Sequence, residues 1–333
     1  MAECILNPAS QDVADFIYRF GSLQNNLRDP EQFPCVDYVS NDYAVFYTEL
    51  ENALPLSLER QPYYSIPSLF TLLDDSAMEA AGIVSALQTP ALSNMGSGVI
   101  IGIVDTGIDY TSPVFRKSDG TTRILGLWDQ TLPEDPSVLP PGVPEYYPMG
   151  GASYGTEFTH EEINEALTLE DPFSLVPSKD TDGHGTFLAG LAAGTAFPLQ
   201  NFTGAAPMAD LAIVKLKPAK KYLRDYYLIS EDTPAFQEND IMMGMDFAVR
   251  IANDRRMPLS LCLGIGSSQG AHIGKNPLSL YVDYISQYSL ISVSVAAGNE
   301  GAARHHYAGR LTERENQALA ELRVGNKEPG FTM

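Results

Sequence analysis

The chain has 333 residues, of which 44% are hydrophobic and 19% are charged, as is ordinary for a folded protein with a large core. This length predicts two domains, or one large domain with an attachment. The formal net charge of −21 argues against nucleic acid and against anionic membrane surfaces as partners. Solubility explains the charge more simply than an acidic binding surface does.

The N-terminus shows no targeting signal. Residues 1–8 have neither a basic region nor an apolar core, and no apolar run reaches the length of a transmembrane helix. We therefore expect synthesis in the cytoplasm, without a signal peptide or membrane span. The three cysteines, Cys4, Cys35 and Cys262, fit no zinc spacing, and their odd number excludes a fully paired disulfide framework.

The first part of the chain differs in texture from the rest. Residues 1–66 are more polar, with a break at Asn25–Pro30 and a plausible strand at Tyr43–Thr48. This pattern predicts a small α+β domain at 1–66, followed by a larger domain at 67–333.

The segment Val99–Asp109 is an almost unbroken run of apolar, mostly β-branched residues that ends in a carboxylate and a glycine. Such a run predicts a parallel strand buried on both faces. Asp105 then lies at the carboxyl end of a strand, where open α/β sheets place their sites. Bonded to an imidazole, it would fix the ring tautomer and stabilise the imidazolium. Alone, the Asp-Thr-Gly also fits a metal ligand or a helix cap.

A second motif, Asp180–Gly190, places His184 between two glycines at the start of a small apolar run. It predicts a loop that delivers a catalytic base onto the first turn of a buried helix, because glycine permits close approach of another segment. The alternative is a core histidine bonded to a backbone carbonyl. The start of this motif also resembles a calcium loop, but the later ligands of an EF-hand are absent.

Strands and helices alternate after His184, which predicts an α/β fold with a doubly wound, mostly parallel sheet. The expected elements are a strand at 211–216, a helix at 240–252, a strand at 258–264, a helix that opens at Asn276-Pro277 and a strand ending near 298. The four lysines at 215, 217, 220 and 221 are predicted to form a solvated edge.

The last predicted strand ends in small residues followed by Asn299. An asparagine amide at such a position can donate a hydrogen bond to an oxygen that becomes negative in a tetrahedral intermediate. An ordinary Asn-Glu-Gly turn is the alternative.

Together, Asp-Thr-Gly at 105–107, His-Gly-Thr at 184–186 and Ala-Ala-Gly-Asn at 296–299 resemble the subtilisin-like serine proteases, or subtilases, which carry their catalytic residues in the order Asp, His, Ser. The resemblance implies a serine endopeptidase acting on polypeptides, in which Asp105 orients, His184 is the general base and Asn299 supplies the oxyanion hole. It implies no required cofactor, and structural calcium at no assignable position. It further implies substrate-pocket walls formed by Leu263, Gly264, Ile265, Ala296, Ala297 and Gly298.

Three further features, the Trp128–Gln130 strand, the Tyr154–Glu157 turn and a helix with a Thr159/Glu162 capping box, resemble the clostridial germination-type subtilases, the Csp proteases. This resemblance implies that residues 1–66 are a propeptide whose tail, Tyr63–Pro67, lies in the substrate cleft and stays bound after cleavage. It also implies that the protein is associated with the spore.

The nucleophile that the family requires is missing from the sequence. Subtilases carry their serine downstream of the oxyanion asparagine, and no serine follows Asn299. We therefore expect residues 67–333 to be a truncated catalytic domain, incomplete at its C-terminus and inactive alone. The alternative is an inactive subtilase-fold protein that acts as a binding or regulatory module.

Overall fold

The N-terminal part of the computed structural model is a three-stranded antiparallel sheet. Its strands are β1 (Val13–Arg19), β2 (Val36–Tyr38) and β3 (Tyr43–Glu49), in the order β1-β3-β2, and helix α1 (Leu50–Ala53) follows. Both faces of β1 are covered, because side chains alternate across a strand and join two different apolar clusters. The strand predicted at Tyr43–Thr48 is confirmed.

The structure describes residues 6–19, 35–39, 42–72, 95–133, 154–195, 202–270, 273–298, 309–314, 316–319 and 321. The remaining elements are β4 (Leu69–Leu72), β5 (Ile100–Asp105), β6 (Ile124–Asp129), β7 (Thr156–Thr159), α2 (His160–Ala166), α3 (His184–Ala193), β8 (Asp210–Lys215), α4 (Lys221–Tyr226), β9 (Phe236–Gln237), α5 (Glu238–Arg255), β10 (Leu259–Leu263), β11 (Ile265–Gly266), α6 (Pro277–Ile285) and β12 (Ile291–Val295). Among these residues, no helix combines the length and apolarity that crossing a membrane requires.

A six-stranded sheet in the order β12-β10-β5-β8-β6-β7 forms the centre of the molecule. Every neighbouring pair is parallel except β6 and β7. All six residues of β5 are buried, as expected for a strand covered on both faces. Ile100 and Val104 face the cluster that contains α5 and α6, whereas Ile101 and Ile103 face the cluster of α3. The predicted doubly wound α/β fold is therefore confirmed.

A small sheet in the order β11-β4-β9 lies beside the central one. In it, β4 pairs antiparallel with both neighbours, with Phe70 opposite Phe236 and Leu72 opposite Ile265. The segment predicted as the tail, Tyr63–Pro67, instead contains a 3-10 turn at Tyr63–Ser65. Proline cannot donate to a sheet ladder, and this segment lies between Pro62 and Pro67, so the strand begins only at Leu69.

Buried charges join the N-terminal sheet to the rest of the molecule. Asp15 in β1 and Lys220 before α4 are both fully buried, and their Oδ1 and Nζ atoms lie 2.7 Å apart. Lys220 Nζ also donates to the carbonyl oxygen of Val13, and Gln237 Nε2 donates to Asp15 Oδ2 at 2.7 Å. Burial lowers the pKa of Lys220, and the neighbouring Asp15 opposes that effect.

The prediction of a solvated lysine edge is therefore wrong for most of its members. Lys217 is buried and bonded to Asp240, and Lys215 Nζ lies 3.2 Å from the buried carboxylate of Asp129. Only Lys221 is largely exposed, with 65% of its side chain accessible. The error arises because each buried lysine has an acidic partner that sequence inspection does not reveal. Elsewhere in the structure, Cys35 is disulfide-bonded, whereas Cys262 in β10 is not part of a disulfide.

We predict that Lys220→Met lowers the free energy of unfolding by about 3 to 5 kcal/mol, because it leaves the Asp15 carboxylate buried without its cation. Urea denaturation followed by circular dichroism measures this. The matched control is Lys221→Met, whose exposed pair with Asp225 contributes little, so that stability should stay nearly unchanged. A double Asp15→Leu, Lys220→Met variant should recover part of the loss. Equal losses in the two lysine variants would contradict the prediction.

Candidate active site

Asp105 and His184 meet at the carboxyl edge of the central sheet. Asp105 is the last residue of β5 and is fully buried, and His184 is the first residue of α3 with 15% of its side chain exposed. His184 Nδ1 lies 2.8 Å from Asp105 Oδ1, which also accepts the N–H of Thr106 at 2.7 Å. With the ring held through Nδ1, Nε2 points away from the carboxylate. This arrangement leaves Nε2 as the ring atom that can act as a base.

The contact depends on a close backbone crossing between two glycines, Gly185 and Gly107. A Cβ atom on Gly185 would lie 2.2 Å from the carbonyl oxygen of Gly107, so no side chain fits there without moving α3 or the turn after β5. Gly107 itself has φ +112°, a conformation that favours glycine. Gly183, which precedes the helix, has φ +94°. The glycines that flank His184 thus let the helix begin against the end of β5.

Thr106 and Thr186 connect the same two segments through their hydroxyl groups. The N–H of Gly185 donates to Thr106 Oγ1 at 2.8 Å, and the N–H of Asp109 donates to Thr186 Oγ1 at 2.8 Å. Both hydroxyls in turn donate to Asp180, which lies four residues before His184. Sequence reasoning missed these contacts. The available signal was that Thr106 and Thr186 are themselves members of the Asp-Thr-Gly and His-Gly-Thr motifs.

The predicted pocket residues lie beside this pair, at the ends of β10 and β12. A Cβ atom on Gly264 would lie 3.2 Å from His184 Cε1 and 3.3 Å from Asp105 Oδ2, so Gly264 directly adjoins the pair. Leu263 and Ile265, on either side of it, are buried. The N–H of Ala296 donates to the carbonyl oxygen of Leu263 at 3.0 Å.

This bond brings the strand end with Ala296, Ala297 and Gly298 against the end of β10. Gly298 has φ +93°. Asn299, predicted for the oxyanion hole, falls outside the described residues, and its role stays a prediction.

In the part of the chain that the structure describes, no three His, Cys, Asp or Glu side chains group together in a way that could hold a metal ion. Asp180, which begins the segment similar to a calcium loop, has both carboxylate oxygens engaged by protein donors. The structure therefore assigns no position to the expected structural calcium among the described residues.

Comparisons with known proteins agree on one family. The model of the subtilase family matches residues 96–322. The solved structure of the CspB protease of Clostridium perfringens is 29% identical with a TM-score of 0.54, over 68% of this chain and 41% of that one. In Arabidopsis thaliana, Subtilisin-like protease SBT3.6 is 28% identical over 52% of this chain and 21% of its own length. Subtilisin-like protease SBT2.1 from the same organism is 32% identical, over 36% of this chain and 15% of its own length. The matched region thus spans about a fifth or less of these two relatives.

We predict opposite effects for two Gly→Ala changes in α3. Gly185→Ala should separate His184 from Asp105 and cost about 1 to 3 kcal/mol of stability, because its methyl group meets the backbone of Gly107. Gly190→Ala, whose added methyl group would have Phe202 Cζ, at 3.9 Å, as its nearest neighbour among the described residues, should instead stabilise the helix by about 0.5 to 1 kcal/mol.

Proton NMR of the low-field Nδ1–H signal of His184, together with thermal unfolding, distinguishes the two variants. Retention of that signal at full intensity in Gly185→Ala would argue against the proposed backbone contact.

Proposed function

Because the chain belongs to the subtilase family, we propose that the protein of which these residues form part is a serine endopeptidase that hydrolyses peptide bonds in polypeptides. The observation that carries the proposal is the 2.8 Å contact between His184 Nδ1 and the buried carboxylate of Asp105. A buried carboxylate on Nδ1 fixes the tautomer in which Nε2 accepts a proton, and it stabilises the imidazolium that results.

The proposed reaction begins with a serine hydroxyl beside His184 Nε2. As the serine oxygen attacks the substrate carbonyl carbon, His184 takes the hydroxyl proton, and the carbonyl oxygen becomes an oxyanion that accepts a hydrogen bond from the Asn299 amide. Collapse of this intermediate breaks the C–N bond, and the imidazolium gives its proton to the leaving amine. Water then hydrolyses the acyl-enzyme by the same proton route. In these residues no serine follows Asn299, so the proposal requires that the nucleophile be supplied by sequence outside them.

The proposed substrate site is the gap between β9 and β11. Both strands pair antiparallel with β4, and β11 follows directly on Gly264, which adjoins His184. An extended peptide in this position gains backbone hydrogen bonds on two sides, a mode of recognition that makes few demands on side chains. We propose that β4 occupies the place of the substrate and that residues 1–72 are a propeptide that blocks the cleft.

The direction of β4 also indicates where self-cleavage would occur. Leu72 lies opposite Ile265, and Gly264 is the next residue back along that partner strand, toward His184. The chain therefore approaches the catalytic pair on the C-terminal side of Leu72. We therefore propose that self-cleavage occurs after Leu72. The segment Tyr63–Pro67, which the sequence predicted as the tail, contains a 3-10 turn instead of an extended strand.

The second candidate function is an inactive module that uses the same cleft to bind another protein. It would apply if no nucleophile is supplied from outside these residues, in which no serine follows Asn299. Since the Asp105–His184 pair has no evident use in such a module, we prefer the peptidase.

We predict that the protein extended beyond Met333 reacts with a fluorophosphonate probe, and that His184→Ala abolishes the reaction because no base remains to activate the serine. In-gel fluorescence measures the labelling. His160→Ala is the matched control. Nδ1 of His160 lies 2.9 Å from the carbonyl oxygen of Ile124, and His160 has no role in the proposed reaction. An extended, folded protein that takes no label would favour the binding module.

We predict that Thr71→Pro opens the cleft of the 333-residue chain, because proline removes a backbone donor from the middle of β4. A fluorescent peptide with the sequence of residues 68–72 should then bind with higher affinity than it does to the unaltered chain, as measured by fluorescence anisotropy. Thr71→Val keeps the backbone donor and the preference for a strand, so this variant should bind the peptide no better than the unaltered chain does. Equal binding by all three proteins would refute occupation of the site by β4.

A further inference from the structure

Asp180 takes no part in the proposed proton transfers, yet its carboxylate accepts four hydrogen bonds. Oδ1 accepts from the N–H of Gly183 and from Thr106 Oγ1, each at 2.9 Å. Oδ2 accepts from the N–H of Thr186 at 2.9 Å and from Thr186 Oγ1 at 2.6 Å. Both oxygens of this half-buried carboxylate are thus committed to nearby protein groups.

The four donors belong to the two segments that must meet for His184 to reach Asp105. Gly183 and Thr186 lie on either side of His184 at the start of α3, whereas Thr106 directly follows Asp105 at the end of β5. Thr106 Oγ1 also accepts from the N–H of Gly185, so that the bonds form a closed bridge between the two backbones. A displacement of either segment would break bonds to the same carboxylate.

The start of α3 favours the ionised form of the Asp180 carboxyl group. Burial raises the pKa of Asp180, but the hydrogen bonds from Thr186, Gly183 and Thr106 together outweigh burial, and the net shift is downward. The group is therefore ionised at neutral pH. Free N–H groups at the first turn of a helix favour an anion, which Asp180 supplies to the ten-residue helix α3.

We propose that Asp180 is a positioning residue that holds His184 in contact with Asp105 and, through its negative charge, favours the protonated imidazole. The positioning role stands on the hydrogen bonds alone, and its value for catalysis rests on the proposed function. Among the described residues, the other charged groups around this turn are Asp105, which contacts His184, Asp109, whose N–H reaches Thr186, Lys215, whose side chain lies beside Gly107, and the exposed Lys179 and Asp182 in the same loop.

The test is an NMR titration of His184 in the 333-residue chain labelled with ¹⁵N-histidine, with Asp180→Asn compared with Asp182→Asn. Both variants lose one negative charge from the same loop, but within the part of the chain that the structure describes no hydrogen bond reaches the exposed Asp182 side chain, so Asp182→Asn reports the effect of charge alone. We expect Asp180→Asn to lower the proton affinity of His184 by about threefold or more and to weaken its low-field Nδ1–H signal. Asp182→Asn should change both much less.

A second variant keeps the proposal testable if Asp180→Asn folds poorly, and the pH dependence of stability gives a further measurement. Thr186→Val removes one donor to Asp180 while keeping the N–H, and it should produce a smaller change in the same direction. Because the pKa of Asp180 is lowered by folding, the stability it contributes is present above about pH 4 and is lost as the pH falls through the folded-state value, so the stability difference between Asp180→Asn and the unaltered chain should shrink there.

Equal shifts of the His184 titration in Asp180→Asn and Asp182→Asn would overturn the proposal, as would no shift in Asp180→Asn and Thr186→Val. None of these measurements requires hydrolysis. A failure here would therefore leave the peptidase proposal standing, and a failure of fluorophosphonate labelling would leave the positioning role standing.

Discussion

The close approach of helix α3 to the end of β5 is the constraint on which the rest of the site depends. The two residues that meet there, Asp105 and His184, are 79 positions apart in the sequence. Their side chains reach each other only because Gly185 passes over Gly107 with no space for a Cβ atom between them. Thr106 and Asp180 then fasten the two backbones together by hydrogen bonds. The geometry of the pair is thus set by backbone contact, and side-chain bonds maintain it.

A second constraint links the N-terminal sheet to the small sheet β11-β4-β9. Gln237 is a residue of β9, which pairs with β4, and its side chain donates to Asp15 in the N-terminal sheet. Asp15 is in turn paired with Lys220, and both are fully buried. A buried charge is stable only when its partners are present, so these contacts couple the N-terminal sheet to β9.

Membership of the subtilase family is established by the match over residues 96–322, and the predicted resemblance to the Csp proteases is confirmed by the similarity to CspB. The order of the three motifs carried that inference correctly. The roles of Asp105, His184 and Asn299 and the assignment of residues 1–72 as a propeptide are proposals. The structure adds the position of β4, which pairs with both β9 and β11 and which the motifs did not indicate.

The sequence by itself determined the elements whose signals are local. The apolar run before Asp105 is β5, the capping box of Thr159 and Glu162 opens α2, and Pro277 begins α6, because burial, capping and proline geometry act within a few residues. Only the tertiary structure decided that Lys220 is buried against Asp15, 205 positions away, that β4 lies between β9 and β11, and that Asp180 bridges two motifs. Each of these depends on a partner distant in sequence, and hydrophobic periodicity and motif spacing carry no information about which distant polar groups meet.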